Sequence, residues 1–189
     1  MSIDAAFTRF PSFSTTRLYL RQLRPADAEA LFAIRSDREV MESYGREPYQ
    51  SLEDAYASIQ RLQAIYERHE AIFWGITLKE ADTVIGSCTF WNFDPDFHYA
   101  EIGYELNRAY WRQGIISEAL VAILTYGFAE LGLHRIEALP LASNTRSRNI
   151  LLKLGFTYEG NLRQRIFFRD HFEDEQYFGL LKDEWLRSV

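Results

Sequence analysis

The sequence predicts one mixed α/β domain in which helices cover both faces of a mixed sheet. Two observations lead to this prediction. Segments with the two-residue alternation of strands and segments with the helical spacing of apolar residues follow one another in the order β-α-α-β-β-β-α-β-α-β-β. The 189-residue chain also contains no internal repeat, low-complexity tract or linker rich in proline, glycine and serine. We therefore expect a single domain over residues 1–189.

The first three elements are a strand and two helices. Residues 17–23 alternate apolar and polar side chains, as strands do. Pro25 suits the first turn of a helix, where its missing amide hydrogen costs no hydrogen bond. Ser51 and Asp54 have the spacing of a capping box, with Asp in place of the usual Glu, and indicate where the second helix starts. The apolar residues at helical spacing are Ala28, Leu31, Phe32 and Ile34 in the first helix, and Leu52, Ala55, Ile59, Leu62 and Tyr66 in the second.

Three strands and the strongest helix come next. The strand-like runs are Ile72–Leu78, Val84–Phe93 and Glu101–Leu106. Residues 94–96 have the composition of a turn, so the last two of these strands should be neighbours in the sheet. The strongest helical pattern covers Gly114–Leu131. The remaining predicted features are a helix cap at Gly132, a strand at Arg135–Pro140, a helix at Ser147–Leu154, and two strands within Phe156–Leu181 around a turn at Arg169–Asp170.

Charge and composition narrow the class of function. The formal net charge of −6 disfavours a nucleic-acid partner, which requires a basic face, and suits a cationic or amine partner. Residues 1–13 lack the features of a signal peptide, and no apolar run approaches the roughly 18 residues of a membrane span. We therefore expect a cytoplasmic protein without a membrane partner, either a monomer or a homodimer. The single Cys88 and four scattered histidines show no metal-ligand spacing, so we expect no metal.

A phosphate-binding loop is predicted where the strand ending at Leu106 leads to the helix opening at Gly114. Free backbone N–H groups and the helix dipole make a helix N-terminus a suitable site for a pyrophosphate. Gly114 lets the backbone approach a phosphate without a Cβ atom in the way. Arg108 and Arg112 could add charge-assisted contacts. The alternative is an ordinary strand-to-helix turn with solvated arginines, and this loop alone leaves both interpretations open.

A second segment follows about thirty residues later. Asn144-x-x-Ser147 precedes a short helix, and either side chain could cap it. Lys153 lies in the last turn, and Gly155 is suited to ending the helix before a buried strand. Capping accounts for at least one of the two polar residues.

Together the two segments resemble the GNAT superfamily and, within it, the ribosomal-protein N-acetyltransferases of the RimJ/RimL type. The acetyl-CoA loop of that family, Q/R-x-x-G-x-G/A, corresponds here to residues 111–116, where only Gly114 matches the general pattern and Trp111 and Ile116 depart from it. The stretch N-x-x-S…K-x-G-F-x-x-E-G at residues 144–160 resembles the RimJ/RimL branch closely. The resemblance runs from residue 17 to residue 185.

The resemblance implies a mostly antiparallel sheet that splays between its fourth and fifth predicted strands. The pantetheine arm of acetyl-CoA would lie in that opening and hydrogen-bond to the main chain of residues 104–106. Asn144 would reach the arm from the other side. The implied acetyl-CoA contacts are Leu106, Arg108, Arg112, Gln113, Gly114, Ile115, Ile116, Ser117, Asn144 and Lys153.

Acetylation of an amine by a thioester requires a neutral amine and a proton for the departing thiolate. Glu101 is the candidate general base, because it matches the glutamate on the fourth strand that acts as base in several GNAT enzymes. A solvent-facing strand residue is the alternative interpretation. Ser147 is the candidate acid that protonates the thiolate, and Tyr104 is its rival. An aromatic cluster could wall an acceptor pocket or belong to the core, and comprises Trp91, Phe93, Phe97, His98 and Tyr99.

Three functions are compatible with these residues. The leading hypothesis is N-acetylation of a protein N-terminal α-amine, as in the ribosomal-protein acetyltransferases. The second is the same reaction on a small amine, such as an amino sugar, a polyamine or an antibiotic, and the third is a non-catalytic acyl-CoA-binding module. A peptide α-amine has a pKa of about 8 and lysine one of about 10.4, so neutralising lysine at neutral pH costs roughly 3 kcal/mol more. An N-terminal acceptor would therefore need only a weak base.

Overall fold

The computed structural model describes residues 5–94, 96 and 98–188. The strands are β1 (Phe13–Ser14), β2 (Leu18–Gln22), β3 (Ile72–Leu78), β4 (Ala81–Asp94), β5 (Tyr99–Leu106), β6 (Arg135–Ala138), β7 (Thr157–Phe168) and β8 (His171–Leu181). The α-helices are α1 (Ala5–Thr8), α2 (Ala28–Arg35), α3 (Arg38–Glu42), α4 (Leu52–Glu67), α5 (Ile115–Ala129), α6 (Thr145–Lys153) and α7 (Lys182–Ser188). Two 3-10 turns, Pro25–Asp27 and Arg108–Tyr110, precede α2 and follow β5.

The strands form one sheet in the order β1-β2-β3-β4-β5-β6-β8-β7. The β5–β6 pair is parallel, and the other neighbouring pairs are antiparallel. This confirms the mixed, mostly antiparallel sheet and the predicted adjacency of the strands on either side of residues 94–96. Pro95, in the middle of that turn, lies outside the described residues.

The sheet splays between β5 and β6, as the resemblance implied. The two strands pair only at Tyr99↔Arg135, Ala100↔Ile136 and Glu101↔Glu137 within the described residues. Beyond Glu101, β5 continues to Leu106 and remains paired on its other side with β4. The strand predicted at residues 135–140 is two residues shorter in the structure, where β6 ends at Ala138. The chain then turns towards β8, where Pro140 accepts a hydrogen bond from the Gln176 amide.

Helices cover both faces of the sheet, and consecutive residues of β4 show this directly. Val84 packs in one apolar cluster and Ile85 in another, because neighbouring residues of a strand point to opposite faces. The first cluster contains the buried side chains of α2 and α4, and the second contains those of α5. Among the described helices, none is long and apolar enough to cross a lipid bilayer.

The local signals in the sequence have the expected counterparts. The Ser51 hydroxyl accepts a hydrogen bond from the Asp54 amide, and the Asp54 carboxylate accepts one from the Ser51 amide, which completes the capping box. Gly132, after α5, has a left-handed φ of 73°. The segments that sequence patterns did not predict are β1, α1, α3 and α7, which have two to seven residues and are too short to establish a period.

The packing of β4 on β5 leaves no space for a side chain at Gly86. A Cβ atom at this position would lie 2.5 Å from the carbonyl oxygen of Glu105 and 2.9 Å from Cδ1 of Leu106. We predict that Gly86→Ala lowers the free energy of unfolding by about 1–3 kcal/mol, measured by urea denaturation. Gly160→Ala is the matched control, since a Cβ atom there meets none of the described atoms within 4 Å. Equal stability of the two variants would contradict this description of the packing.

Candidate active site

A cleft of about 530 Å³ lies where β5 and β6 separate. It is bounded by the end of β5, the loop before α5, the segment after β6 and one side of α6. The residues predicted for the site that line it are Tyr104, Leu106, Arg112, Gly114, Ile115, Ile116, Ser117, Asn144, Ser147 and Lys153. Glu101, Arg108 and Gln113 are not among the lining residues.

The N-terminus of α5 forms one wall of the cleft. Gly114 adopts a left-handed conformation (φ 75°, ψ 5°), and no described side chain caps the helix. The first intrahelical bond runs from the Glu118 amide to the Gly114 carbonyl at 3.1 Å, so the amides of residues 115–117 precede the hydrogen-bonded ladder. Arg112 is also left-handed, with φ 61°, and helps the loop to turn sharply. Free amides and the helix dipole suit this wall to an anion.

Arg17, the residue before β2, supports this wall. Its Nη1 donates to the Gln113 carbonyl at 3.0 Å, and its Nε lies 2.6 Å from Glu118 Oε2. The Glu118 carboxylate also accepts a hydrogen bond from the Thr15 hydroxyl at 2.6 Å. Burial raises the pKa of Glu118, but the contacts with Thr15 and Arg17 outweigh it and leave that pKa below its ordinary value. Arg17 therefore holds the loop and balances a carboxylate that would oppose a bound anion.

Trp111 and Arg146 connect the loop before α5 with α6. The Trp111 indole donates to the Leu106 carbonyl at 2.8 Å, and the Arg146 guanidinium lies over the Trp111 ring at 4.1 Å from its centroid. Arg146 also donates to Glu39 of α3 at 3.0 Å. Arg108 points away from the cleft and pairs with Asp37 and Glu39. These contacts brace the two walls against each other.

Tyr104 and Ser147 face each other across the cleft. Their hydroxyl oxygens are 2.7 Å apart, and either could be the donor. Burial raises the pKa of Tyr104 well above its ordinary value, and the bond to Ser147 offsets only part of this effect. The phenol therefore stays protonated at neutral pH. The two residues that the sequence presented as rival acids form one hydrogen-bonded pair.

Asn144 is the cap of α6. Its Oδ1 accepts a hydrogen bond from the Ser147 amide at 3.0 Å, and its Nδ2 donates to the Ser43 carbonyl at 3.1 Å. The helix accordingly begins at Thr145, two residues before the predicted start. Of the two possible caps, Asn144 is the one used, which leaves the Ser147 hydroxyl for Tyr104.

Three carboxylates lie near the open part of β5. Glu101 accepts a hydrogen bond from Asn92 at 2.6 Å and lies outside the cleft lining. Glu105, four residues further along the strand and on the same face, lines the cleft. Glu175 of β8 also lines it, and sequence reasoning did not identify this residue. Its position depends on a bridge between β8 and Leu141, a contact between distant segments that no local pattern reveals.

Glu105 is fixed by Arg35 of α2. The two groups are 2.8 Å apart, with side chains only 5% and 13% exposed, and Ser87 adds a hydrogen bond at 2.9 Å. Burial alone would lower the pKa of Arg35, but Glu105 and Tyr49 outweigh this effect and leave that pKa above its ordinary value. Glu105 therefore serves as a neutralised part of the wall.

The aromatic cluster around residues 91–99 lies away from the cleft. Its described members, Trp91, Phe93, His98 and Tyr99, are not among the lining residues, and Phe93 packs against the core beside Phe90. Phe97 lies outside the described residues. Within residues 5–94, 96 and 98–188, no group of three or more His, Cys, Asp or Glu side chains is arranged to hold a metal ion.

Comparisons with known proteins agree with this architecture. The acetyltransferase (GNAT) domain family matches residues 17–157. An uncharacterized N-acetyltransferase of Bacillus subtilis (strain 168), YoaA, is 39% identical over 92% of this chain and 98% of its own length. The ribosomal-protein-serine acetyltransferase of Escherichia coli (strain K12) is 34% identical over 71% of this chain and 74% of its own. The crystal structure of an acetyltransferase (GNAT family) from Bacillus anthracis has a TM-score of 0.82 at 28% identity, covering 92% of this chain and 99% of that chain.

The buried Arg35–Glu105 pair generates a prediction about the cleft wall. Arg35→Met leaves Glu105 buried without its cation, and we expect the free energy of unfolding to fall by about 3–5 kcal/mol. The matched control is Arg38→Met, because Arg38 is 75% exposed in its pair with Glu42 and should contribute less than about 1 kcal/mol. Denaturant unfolding measures both. Losses within about 1 kcal/mol of each other would show that Arg35 does not have this role.

Proposed function

The chain belongs to the GNAT acetyltransferase family and is an N-acetyltransferase, and from this premise we propose that its cleft binds acetyl-CoA and that its acceptor is a protein N-terminal α-amine. The observation that carries the proposal is that one cleft contains both a helix N-terminus that no described side chain caps and a pair of hydroxyl groups. The first suits a pyrophosphate, and the second suits a leaving group that needs a proton.

The residues around the cleft fit the parts of acetyl-CoA. The amides of Ile115, Ile116 and Ser117 would bind the pyrophosphate, with Arg112 adding charge. Beyond Glu101, β5 has no strand partner on the cleft side among the described residues, so its main chain can pair with the amide groups of the pantetheine arm. Lys153, exposed at the cleft, would add a further positive charge.

Other residues proposed for cofactor binding contribute indirectly. Gln113 presents its carbonyl to Arg17, and Arg108 is paired with carboxylates of α3 and its N-cap. The Leu106 carbonyl accepts from Trp111, and the Asn144 side chain is engaged at both ends. We propose that these four residues shape the cleft, with Leu106 and Asn144 also in contact with the arm.

The reaction joins the amine nitrogen to the acetyl carbonyl carbon and breaks the carbon–sulfur bond. The Tyr104–Ser147 pair would give a proton to the departing thiolate, since burial raises the pKa of Tyr104 and the phenol carries its proton at neutral pH. Glu101, the base implied by the resemblance, would reach the amine only through water from its position beside Asn92. An α-amine tolerates this better than lysine, since its pKa is about two units lower.

The proposed acceptor rests on the basicity of amines and on similarity to a named relative. The relative at 34% identity is named a ribosomal-protein-serine acetyltransferase, and among the acceptors considered an N-terminal α-amine requires the least base. Because the chain carries a net charge of −6, we propose that it acts without nucleic acid, and that it does so in the cytoplasm, where acceptors of the ribosomal-protein class occur.

The phosphate-binding loop generates the prediction for acetyl-CoA. A Cβ atom at Gly114 would meet Arg17 Nη2 at 3.5 Å, an ordinary contact, but the left-handed φ of 75° would strain it and it would occupy the approach of a phosphate. We predict that Gly114→Ala raises the Kd for acetyl-CoA more than about tenfold, or about 1.4 kcal/mol, in calorimetry with a chelator present. Gly132→Ala is the control, because that glycine has a similar φ at the far end of α5. Unchanged binding by Gly114→Ala would refute the loop assignment.

The acceptor class is tested with intact-mass spectrometry. Proteins from cells with and without the enzyme are compared, and purified enzyme is then given peptides with a free or a blocked N-terminus. We expect a mass increase of one acetyl group on N-terminal amines and none on blocked peptides without lysine. Acetylation of polyamines or amino sugars, with no N-terminal product, would overturn the proposed acceptor while leaving the acetyl-CoA assignment intact.

A further inference from the structure

Glu175 differs from the other carboxylates near the opening in two ways. Its side chain lines the cleft, and the cation that it pairs with is exposed to solvent. Glu175 lies on β8 opposite Leu162 of β7 and forms a bridge with Leu141, just after β6. Its side chain is 13% exposed and shares the cleft with Tyr104 and Ser147. A carboxylate and a proton-donating pair therefore line the same opening in the sheet.

The groups around Glu175 come from three segments. Arg165 of β7 lies 2.8 Å away, and its own side chain is 56% exposed. Glu101 of β5 adds a like charge, while the segment after β6 presents the uncharged Pro140, Leu141 and Ala142. Burial raises the pKa of Glu175, and Glu101 raises it further, whereas Arg165 lowers it; the net result lies above the ordinary value. Such a carboxylate accepts a proton more readily near neutral pH.

The other two carboxylates are less suited to taking a proton from an acceptor. Glu101 accepts a hydrogen bond from Asn92 and lies off the cleft. Glu105 lines the cleft but is held by a buried Arg35 and by Ser87. The partner of Glu175 is an arginine whose side chain is 56% exposed, so solvent screens their ion pair.

We propose that Glu175 is the general base of the acetyl transfer, an inference that rests on the proposed function. As the amine nitrogen bonds to the acetyl carbon, the Glu175 carboxylate takes the proton that the nitrogen loses. The carbon–sulfur bond then breaks, its electron pair leaves on sulfur, and the Tyr104–Ser147 pair protonates that sulfur. Solvent carries the proton from Glu175 back to the pair, so the products are the acetylated amine and free thiol. Glu101 acts by its charge, which increases the proton affinity of Glu175.

Profiles of kcat/KM against pH test this assignment. They use a peptide whose N-terminal amine the parent enzyme acetylates, or a small amine if that is the acceptor found. Glu175→Gln should lower kcat/KM by about two to four powers of ten, leave the Kd for acetyl-CoA unchanged and abolish the acidic limb that belongs to the carboxylate. Glu175→Asp should retain that limb with reduced activity, which separates loss of the base from loss of the fold.

Substitutions of charged neighbours should move the acidic limb of the pH profile in opposite directions, which a purely structural role of Glu175 would not produce. Arg165→Gln removes a cation, so it should raise the pKa of Glu175 and move the acidic limb to higher pH. Glu101→Gln removes a like charge, so it should move that limb to lower pH with less than about a tenfold loss of rate. Glu173→Gln, two residues away on β8 and absent from the cleft lining, is the matched control and should leave the profile unchanged.

Two results would overturn the proposal. One is a Glu175→Gln enzyme that retains at least about a third of the parent rate across the pH range. A loss of about threefold is far smaller than the loss expected on removal of a positioned base. The other is a Glu101→Gln enzyme whose kcat/KM falls by the two to four powers of ten expected for Glu175→Gln. Failure of the acceptor assignment would be distinct, because the parent enzyme would then acetylate no N-terminal amine at all.

Discussion

Between β5 and β6 the sheet loses its backbone pairing after Glu101, and the site depends on that loss. Amide and carbonyl groups at an interior sheet edge require partners, because leaving such a group buried and unpaired is costly. An extended substrate with amide groups can supply those partners where a strand does not. The same separation lets Tyr104 and Glu105, neighbours that point to opposite faces, line one cleft.

Packing on either side keeps the opening in place. On the side away from β6, close contact between Gly86 of β4 and the Glu105 backbone fixes β5. Arg35 holds the Glu105 side chain on the face covered by α2. On the side of α6, Arg146 lies over Trp111, and Trp111 in turn binds the Leu106 carbonyl. A site built on such elements positions its reacting groups more precisely than one built on free loops.

Charge is distributed along the cleft in a way that fits two different substrates. At the N-terminus of α5, Arg17 balances Glu118, so an anion bound to the amides of residues 115–117 would meet no unpaired charge from that carboxylate. Beside the opening, Glu175 and Glu101 make the surroundings favourable for a cationic amine. An anionic cofactor and a basic acceptor can therefore meet at the Tyr104–Ser147 pair.

The fold was largely predictable because most of its helices and strands follow from patterns of neighbouring residues in the sequence. Ser51 with Asp54 and the apolar spacing of α5 each depend on residues within a few positions of one another. Gly114 was identifiable for the same reason. Arg17 and Glu175 were not, since their roles arise from contacts with Gln113 and Leu141, which lie far away in sequence. Most of the residues that the resemblance implied for acetyl-CoA line the cleft, whereas Glu101, the base that it implied, does not.

We propose that acetyl-CoA occupies the separation between β5 and β6. Backbone hydrogen exchange with and without acetyl-CoA tests it most directly, because each amide reports on its own hydrogen bond. We expect slower exchange at residues 103–106 and 115–117, and unchanged exchange at the tip of the β7–β8 hairpin, residues 167–172. Binding of acetyl-CoA without protection of residues 103–106 and 115–117 would contradict the account.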